Sequence, residues 1–347
     1  MYIAVDTDGN IANALEVDID KKSRFLCPHC REELLYKKGV KIQSHFAHKK
    51  KSSCSYTSYK SESKEHLQTK KDFYNHFKTK YKSVRLEYIF KTDDSLQIAD
   101  IYLADKNIAF EYQRSLISSS QIKERTKGYE KAGIKLIWLV DLNKFVKELK
   151  VYNNIIYIRY AAFVENFLNY HKGCVFFYGY DLENKEIAFY QIWPHSLKKR
   201  HAIAIKQVCK LEDFNLPFDF KFSAKDLTSK IHKSDIENYL YVQLKYDKTV
   251  KNKLLSLFYN ARIALTDVPD IIGIPSKEIT LVKTPLLMWQ TQIYSMFKNN
   301  KTYVEILEYM YNFMEVVDSI YISNKEKGRI IEKLVKEYYL KLISNKE

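Results

Sequence analysis

Two short segments in the first third of the chain carry polar side chains where a sheet normally places apolar ones. Residues Gln97–Asp100 and Ala109–Gln113 are typical of two strands joined by a tight turn. Alternation along the second strand puts Glu111 and Gln113 on one face, about 6.6 Å apart, and the intervening apolar residues on the other. A sheet that contains these two strands therefore has a polar, acidic face at this position and an apolar face that can pack into a core.

The turn between the two strands decides which acidic residues meet. If Asp105 and Lys106 form a two-residue loop, Asp100 lies directly opposite Glu111. Two carboxylates so close repel, which raises the pKa of one of them, and a divalent cation between them removes the repulsion. This acidic pair, a following amide and a very basic chain predict metal-assisted cleavage of a phosphodiester. The alternative is a solvent-facing acidic pair on an edge hairpin.

Composition indicates a globular chain with a polyanionic partner. The 347 residues are enough for two or three domains and a sizeable core, and 46% of them are hydrophobic. A net charge of +15 favours nucleic acid as the partner, with an anionic membrane surface as the weaker alternative. An AT-rich genome also raises lysine content, so charge alone does not decide the partner.

Several classes of protein are excluded by the sequence. Asp6 and Asp8 precede any apolar run, which predicts no signal peptide, and no apolar stretch approaches the length of a membrane span. The eight glycines form no phosphate-binding loop of an ATP-driven motor. Five cysteines, three of them clustered, favour a reducing cytoplasm with one metal site over a disulfide framework.

The clustered cysteines have the spacing of zinc ligands. Cys27 and Cys30 form a C-x-x-C pair, and Cys54 follows His45 and His48. Three thiolates and one imidazole would close a tetrahedral, structural Zn²⁺ site. His48 is favoured over His45, although the sequence does not decide between them. The alternative leaves Cys54 free and both histidines in solvent.

The chain is predicted to divide into three regions of an α+β protein. These are a small β-rich zinc-finger-like module (residues 1–56), a core (57–150) and a C-terminal region (151–347) that is mixed and then mainly helical. In the core, the patterns predict, in order, helix 64–77, strands 84–90, 97–103 and 107–113, helix 120–132 and strand 134–140. This α-β-β-β-α-β order predicts a mixed sheet flanked by helices.

Local signals mark the ends of the core helices. Ser61 or Ser63 can cap the first helix, and Gly133 can stop the second. Glu62 and His66 are four residues apart and therefore share a face near the start of the first helix.

The C-terminal region is less readable. Strands are predicted at 152–160, 175–180 and 187–192. Thr284 before Pro285 predicts a capped helix start, and Ser323–Glu326 predicts a capping box before a final helix. The aromatic-basic stretch Tyr157–Tyr160 can stack single-stranded bases, but aromatic residues at strand spacing are usually core.

A run of unusual motifs in a fixed order resembles the competence protein CoiA family. The acidic residues with Gln113 follow the order used by PD-(D/E)XK nucleases, and the resemblance covers roughly residues 20–140, with little from the C-terminal half. The motifs are Cys27–Cys30, His45–His48, Ser61–Leu67, Ile98–Asp100, Glu111–Ser115, Glu124–Tyr129 and Gly133–Trp138.

The resemblance implies a nuclease-like core, an N-terminal zinc-finger-like module and a role in DNA uptake and recombination during natural transformation. It implies that Glu62, Asp100 and Glu111 are acidic residues of a metal site. It also implies that Gln113 occupies the usual lysine position of the superfamily. Gln113 cannot supply positive charge to the transition state, although its amide can orient the attacking water.

In the predicted mechanism, Asp100 and Glu111 hold Mg²⁺ (or Mn²⁺), and Glu62 fixes a water or a second ion. Three roles are open to His66. It can form a hydrogen bond with Glu62, contact the phosphate, or only brace the helix.

Arg114 and Arg125 are candidate DNA-binding residues that contact phosphate. The alternative gives each an ion pair with a nearby acid such as Glu124 or Glu130.

The leading prediction is a metal-dependent DNA nuclease or DNA-processing factor in recombination during transformation. The main alternative is a non-catalytic DNA-binding mediator of strand exchange, and a third is a defence nuclease with a different C-terminal half. The expected partners are DNA, with single-stranded and branched forms as candidates, and recombination proteins. The expected location is the cytoplasm, without a membrane span.

Overall fold

The computed structural model describes residues 1–16, 23–40, 42–49, 52, 54, 62–92, 96–152, 155–247, 249 and 251–345. The predicted boundary at 56/57 and the cap candidate Ser61 lie outside these residues. The chain forms two compact units: residues 1–143, 179–187 and 209–215 make the first, and residues 144–178, 188–208 and 216–347 make the second.

A small antiparallel sheet opens the first unit. Among the described residues it contains five strands in the order β2-β1-β3-β4-β5. Their bounds are β1 Ile3–Asp6, β2 Ile11–Asn13, β3 Phe25–Leu26, β4 Glu33–Gly39 and β5 Ile42–His48. Gly9, at φ +86°, lies in the turn between β1 and β2, and β4 and β5 form a hairpin in which Gly39 pairs with Ile42. This sheet is the predicted β-rich N-terminal module.

The rest of the first unit has the predicted α-β-β-β-α-β order. Its elements are α1 Lys64–Lys80, β6 Val84–Lys91, β7 Leu96–Leu103, β8 Ile108–Gln113, α2 Ser119–Lys131 and β9 Lys135–Asp141. The strands β6, β7 and β8 are antiparallel, whereas β8 and β9 are parallel, so the sheet is mixed. Gly179 and Tyr180 extend it by pairing in parallel with β9.

The two core helices begin and end where local chemistry favours it. The Ser63 side chain accepts the His66 backbone N–H at the start of α1. Ser118 and Gln121 form a capping box at the start of α2. Gly133, at φ +67°, follows α2 in the left-handed conformation that glycine adopts most readily, as predicted.

The helices cover opposite faces of β8. Phe110 of β8 packs against Phe73 and Phe77 of α1, with ring centroids 6.0 and 4.9 Å away. On the other face, the buried side chains of Ala109 and Tyr129, the latter from α2, belong to one apolar cluster. Alternation along β8 therefore directs successive side chains to different helices.

The turn between β7 and β8 has the predicted register with a longer loop. The pairs Leu103–Ile108 and Ile101–Phe110 have the spacing that places Asp100 opposite Glu111. The strands end at Leu103 and Ile108, so four residues, not two, connect them. Asn107 adopts φ +53°, which Asn tolerates better than most residues.

From β9 onward the described chain is mixed and then mainly helical, as predicted. The elements are α3 Leu142–Phe145, β10 Val146–Tyr152, β11 Ile155–Tyr160, β12 Asn169–His171, β13 Cys174–Asp181, β14 Glu186–Pro194, β15 His201–Lys210, α4 Lys233–Tyr246, α5 Lys253–Asn260, α6 Leu286–Lys298, α7 Tyr303–Phe313 and α8 Asn324–Ser344. Short 3-10 helices lie at Ala162–Phe167, Leu211–Asp213 and Lys277–Leu281.

Three details of the C-terminal half differ from the sequence prediction. The strand predicted at 152–160 is a hairpin, because Tyr152 ends β10 and pairs with Ile155 of β11. Strand β15 was not predicted. Thr284 does not cap α6: Pro285 is the N-cap, no side chain caps it, and the Thr284 hydroxyl accepts the Glu315 backbone N–H instead.

Two other C-terminal predictions are settled by the structure. The capping box of Ser323 and Glu326 at α8 is present. In the aromatic-basic stretch, Ile158 and Tyr160 are buried, which is the core placement that strand spacing favours.

Candidate metal centres and their surroundings

Three side chains from two elements come together at the start of α1. Glu62 precedes the helix, His66 lies in its first turn, and Asp100 lies on β7. One ligand atom from each is within 4.8 Å of the others, which is close enough to share a metal ion. The capping of α1 by Ser63 fixes the turn that brings Glu62 and His66 to the same side. We call these three residues the acidic cluster.

Asp100 lies where β7 and β8 separate. The paired residues of the two strands end at Ile101 and Phe110. The Asp100 carboxylate then accepts the Tyr112 backbone N–H at 3.0 Å, in place of a backbone carbonyl. The same oxygen lies 2.9 Å from Nε2 of His66. The strand separation thus turns Asp100 toward α1 and into contact with the histidine.

Glu62 is held by two cations. Its carboxylate accepts from the Lys70 ammonium at 2.5 Å and lies 3.1 Å from the N-terminal ammonium of Met1. Lys70 is 3% exposed and also donates to Glu87. Glu62, His66 and Lys70 are spaced by four residues, so they share one face at the start of the chain's first long helix.

Glu87 joins the acidic cluster to the N-terminal sheet. Its carboxylate accepts the backbone N–H groups of Tyr2, at 2.7 Å, and Ile3, at 3.0 Å. Glu87 lies in β6 with φ +49°, an unusual conformation for a non-glycine residue that costs about 1–3 kcal/mol. The hydrogen bonds to β1 and to Lys70 offset that cost.

The charges of the acidic cluster adjust one another. Burial opposes the charged form of Glu62, but Lys70 and the N-terminal ammonium outweigh it and hold the pKa of Glu62 below its usual range. Burial likewise opposes the charged form of Asp100, and His66 outweighs it, so the pKa of Asp100 is lowered. Asp100 in turn raises the pKa of His66 despite burial. The two carboxylates of the acidic cluster are therefore ionised at neutral pH.

Glu111 has different neighbours from Asp100. It is buried on the α2 face of β8, where its carboxylate accepts from Arg125 at 2.6 Å and from the Tyr129 hydroxyl. Burial raises the pKa of Glu111 to about 7, although Arg125 opposes the shift. Within the described residues, Glu111 is not part of the acidic cluster. Joint binding of one cation by Asp100 and Glu111 stays a prediction.

The remaining predicted site residues are Gln113, the last residue of β8, and Arg114, which follows it. Gln113 is buried, and its amide donates to the Ser115 carbonyl. Arg114 pairs with the fully buried Asp141 and, at 3.6 Å, with Glu65.

Both arginines thus have acidic partners, but on elements that the sequence did not suggest. Glu124 and Glu130 were the acids suggested for the ion-pair alternative. Arg114 pairs instead with residues of β9 and α1, and Arg125 pairs with Glu111 of β8.

The acidic cluster fits a divalent cation by its donor chemistry. Two carboxylates and one imidazole are a mixed oxygen and nitrogen set, which suits Mn²⁺ as well as a partly hydrated Mg²⁺. Both carboxylates are ionised, so a cation binds them without loss of a carboxyl proton, although Glu62 already has Lys70 and the N-terminal ammonium as partners. The ion's identity is not fixed by these residues.

A second candidate metal centre lies in the N-terminal sheet. One ligand atom each of Cys27, Cys30, His48 and Cys54 lies within 4.8 Å of the others. The His29 backbone N–H approaches the Cys27 sulfur at 3.4 Å, a contact typical of thiolates that bind metal. This Cys₃His set is the donor chemistry of a structural Zn²⁺ site.

His48 is the histidine of that set. It lies 3.4 Å from the Cys30 sulfur, whereas His45 lies 2.7 Å from the Gln43 carbonyl. Because the two histidines are three residues apart on β5, alternation directs them to opposite faces.

Sequence reasoning missed Lys70 and Glu87. A lysine inside a helix is normally assigned to solvent. The spacing of Lys70, four residues after His66 and eight after Glu62, was a usable signal for a shared face. Glu87 had no comparable signal, because its role depends on a backbone distortion in β6 and on contact with β1.

Comparison with known proteins shows the family of the chain. Three family models match consecutive parts of the chain: the N-terminal domain of competence protein CoiA at residues 11–57, its nuclease-like domain at 62–222 and its C-terminal domain at 228–346. The chain belongs to the competence protein CoiA family. Competence protein CoiA of Bacillus subtilis (strain 168) is 25% identical over 281 residues, covering 79% of this chain and 72% of that protein. No solved structure matches.

The family match corrects one expectation about the C-terminal half. The sequence resemblance contributes little beyond residue 140, yet the CoiA C-terminal domain matches residues 228–346.

In the described part of the chain, this CoiA family member has no helix with the length and apolar character needed to cross a membrane.

Proposed function

We propose that this CoiA family member is a metal-dependent DNA nuclease that processes DNA during recombination in natural transformation. The acidic cluster carries the proposal, because it brings two ionised carboxylates and an imidazole together within the nuclease-like domain. The predicted locations and partners, which are the cytoplasm and recombination proteins, belong to this proposal. So do the predicted domain limits at 56 and 150.

The residues of the acidic cluster divide the work. Asp100 and His66 would hold the cation, and Glu62 would complete the site or fix a water. A bound divalent cation polarises the scissile phosphate and lowers the pKa of an attacking water. The Tyr112 backbone N–H orients the Asp100 carboxylate. Lys70 keeps Glu62 ionised and in place.

Glu111 and Gln113 keep their predicted roles in the proposal. A carboxyl with a pKa of about 7 exchanges its proton readily at neutral pH, which suits a general base. The Gln113 amide would orient water, as its place after Glu111 suggests. Arg125 steadies Glu111 through their ion pair.

DNA is the proposed substrate, in single-stranded or branched form. The net charge of +15 favours a polyanion and predicts rapid, salt-sensitive association.

A non-catalytic DNA-binding mediator of strand exchange is the second candidate. Gln113 favours it, because no cation replaces the superfamily lysine at that position. The ion pairs of Glu62 favour it as well, because they neutralise the carboxylate without a metal. The defence-nuclease alternative loses its basis, since it rested on an unfamiliar C-terminal half.

The test is cleavage of single-stranded, branched and duplex DNA by the purified full chain with Mg²⁺, Mn²⁺ or EDTA. Asp100→Asn removes one ligand charge and keeps the shape. Asp105→Asn, an exposed acid in the β7–β8 turn, is the matched control.

A nuclease cuts with metal, not with EDTA, and loses about 100-fold or more of its rate in Asp100→Asn alone. Binding without cutting under every metal would support the mediator. Equal cutting by both variants would contradict a catalytic role for Asp100.

A further inference from the structure

A concave pocket of about 780 Å³ lies wholly within the second unit. One wall is the turn between β14 and β15, which carries the run Lys198–His201. The lining also includes the segment Val282–Leu286 that leads into α6, and Lys253 at the start of α5. We call this the basic pocket.

Positive charge dominates the basic pocket. Its lining includes five cationic side chains, Lys198, Lys199, Arg200, Lys253 and Lys283, and two acids, Glu165 and Glu315. Arg200 lies 3.6 Å from Glu165, and Lys283 lies 2.7 Å from Glu315. Among the described residues, the other three lysines have no acidic partner within ion-pair distance, so their charge is available to an anion.

The start of α6 adds a second source of positive potential. This helix of 13 residues begins at the basic pocket, and no side chain caps it, because its N-cap residue is Pro285. The first N–H groups of a helix attract anions, and phosphate binds well there. Cationic side chains and an uncapped helix start thus converge on one pocket.

The turn that carries the lysines is fixed in place. The Tyr160 backbone N–H donates to the Arg200 carbonyl at 3.1 Å, and Arg200 adopts φ +60°. Few non-glycine residues take that conformation, which makes this a defined turn rather than a loose loop. A fixed turn holds its charges near the pocket at little further loss of entropy.

Size and lining select among anions. The lining also includes the apolar side chains of Ile279, Val282 and Met288, which favour a ligand with an apolar part as well as a phosphate. A pocket of about 780 Å³ is of the size that holds small organic ligands. It is far too small for a duplex about 20 Å across, whereas a few unpaired nucleotides fit.

We infer that the basic pocket binds a short stretch of single-stranded DNA, with phosphates on the lysines and the α6 start and bases against the apolar wall. This inference rests on the proposed function for the choice of DNA. It adds a preference for unpaired strands and places the strand on the second unit.

The experiment measures binding of a labelled 12-nucleotide oligo(dT) to the full chain by fluorescence anisotropy in EDTA, so that no cutting interferes. The pocket variant combines Lys198→Glu, Lys199→Glu and Lys253→Glu. The matched control combines Lys245→Glu, Lys325→Glu and Lys336→Glu, three exposed lysines of the second unit outside the pocket. Thermal melts check that both variants fold.

The pocket variant should bind about tenfold or more weakly at 0.1 M salt, and the slope of log K against log salt should shrink by about 2, as for three lost phosphate contacts on single strands. The control should change affinity by less than about threefold. Equal losses in both variants would show general electrostatics and overturn the inference.

Two further measurements keep the test decisive if the pocket variant fails to fold. A bromodeoxyuridine-substituted strand, crosslinked to the wild-type chain, should label peptides containing Lys198–His201 or Val282–Met288. Crosslinks confined to other peptides would overturn the inference. As competitors, thymidine monophosphate and inorganic phosphate should displace the strand only at millimolar levels, and a 12-base-pair duplex should compete weakly.

Tight binding of the monophosphate alone would assign the basic pocket to a free nucleotide, and equal binding of the duplex would remove the single-strand preference. Either result overturns the inference. The cleavage assay with Asp100→Asn is independent of these outcomes. Pocket-dependent binding without any cutting would therefore leave this site standing and reject the nuclease.

Discussion

Lys70 is the residue on which the acidic cluster depends most strongly. It lies almost fully buried between Glu62 and Glu87 and is within hydrogen-bonding distance of both carboxylates. Removal of one partner from a buried ionic group leaves uncompensated charge, which costs more than the pair itself contributes. Two acids of the first unit thus share one ammonium group from α1.

Lys70→Met should therefore destabilise the chain by about 3–5 kcal/mol, because Glu62 and Glu87 lose their shared cation. Urea denaturation measures the change. The matched control is Lys78→Met in the same helix, whose half-exposed ion pair with Glu16 should contribute less than about 1 kcal/mol. Similar losses in the two variants would contradict the account of Lys70.

Glu111 should make stability depend on pH. Burial raises its pKa in the folded chain to about 7, above the ordinary value of 4.5. The folded state therefore binds this proton more tightly than the unfolded state, and stability falls as pH rises between these two values. In Glu111→Gln that fall is absent, so the free energy of unfolding of the variant minus that of wild type should increase from pH 5 to pH 8.

Denaturation curves of both proteins at pH 5 and pH 8 check the Glu111 prediction. A constant difference between them would show that the pKa of Glu111 is not raised.

At the scale of elements, the separation of β7 from β8 and the N-terminal sheet build the candidate sites. The separation frees the Tyr112 backbone N–H for Asp100, and β1 supplies two backbone N–H groups to Glu87. The N-terminal sheet therefore does more than hold its own cysteine cluster. It also supports the residue that positions Lys70.

Loss of one ligand should weaken the Cys₃His centre and loosen this support. Cys54→Ser should lower zinc affinity by more than about 100-fold and reduce the melting temperature, because metal binding stabilises a small sheet that has little core of its own. Atomic absorption and thermal melts measure both effects. Cys209→Ser is the control, since Cys209 lies outside the cluster. Full zinc content in Cys54→Ser would contradict the assignment.

The sequence predicted most elements of the first unit and fewer details of the second. Alternating and helical patterns gave α1, α2 and the strands between them, because one-sided burial leaves a period in the sequence. The sequence prediction was wrong at Thr284, which does not cap α6. Its hydroxyl accepts the Glu315 backbone N–H instead. That contact joins residues 31 positions apart, which local patterns do not report.

In the candidate sites, too, local sequence patterns indicate some residues, whereas others depend on contacts between distant elements. The sequence favoured His48 over His45 without deciding between them, and the contact of His48 with the Cys30 sulfur makes the distinction. The pairing of Glu111 with Arg125 and Tyr129 depends instead on how α2 packs on β8. Lys70 was not predicted, because lysine side chains usually lie in solvent.

At the scale of the whole molecule, a net charge of +15 should dominate association with DNA. Each phosphate contact on a single strand adds about 0.7 to the slope of log K against log salt. We expect a slope of magnitude above about 2 for the full chain between 0.05 and 0.3 M salt, measured by anisotropy. A slope near zero would contradict a binding surface made of cationic side chains.

The central claim is that Glu62, His66 and Asp100 hold a divalent cation. Anomalous diffraction from crystals grown with Mn²⁺, at energies on either side of the manganese edge, tests it directly and separates manganese from zinc. The account predicts a manganese peak in contact with Asp100 and His66 that disappears in Asp100→Asn crystals. Full occupancy of the cysteine cluster with no manganese at the acidic cluster would contradict it.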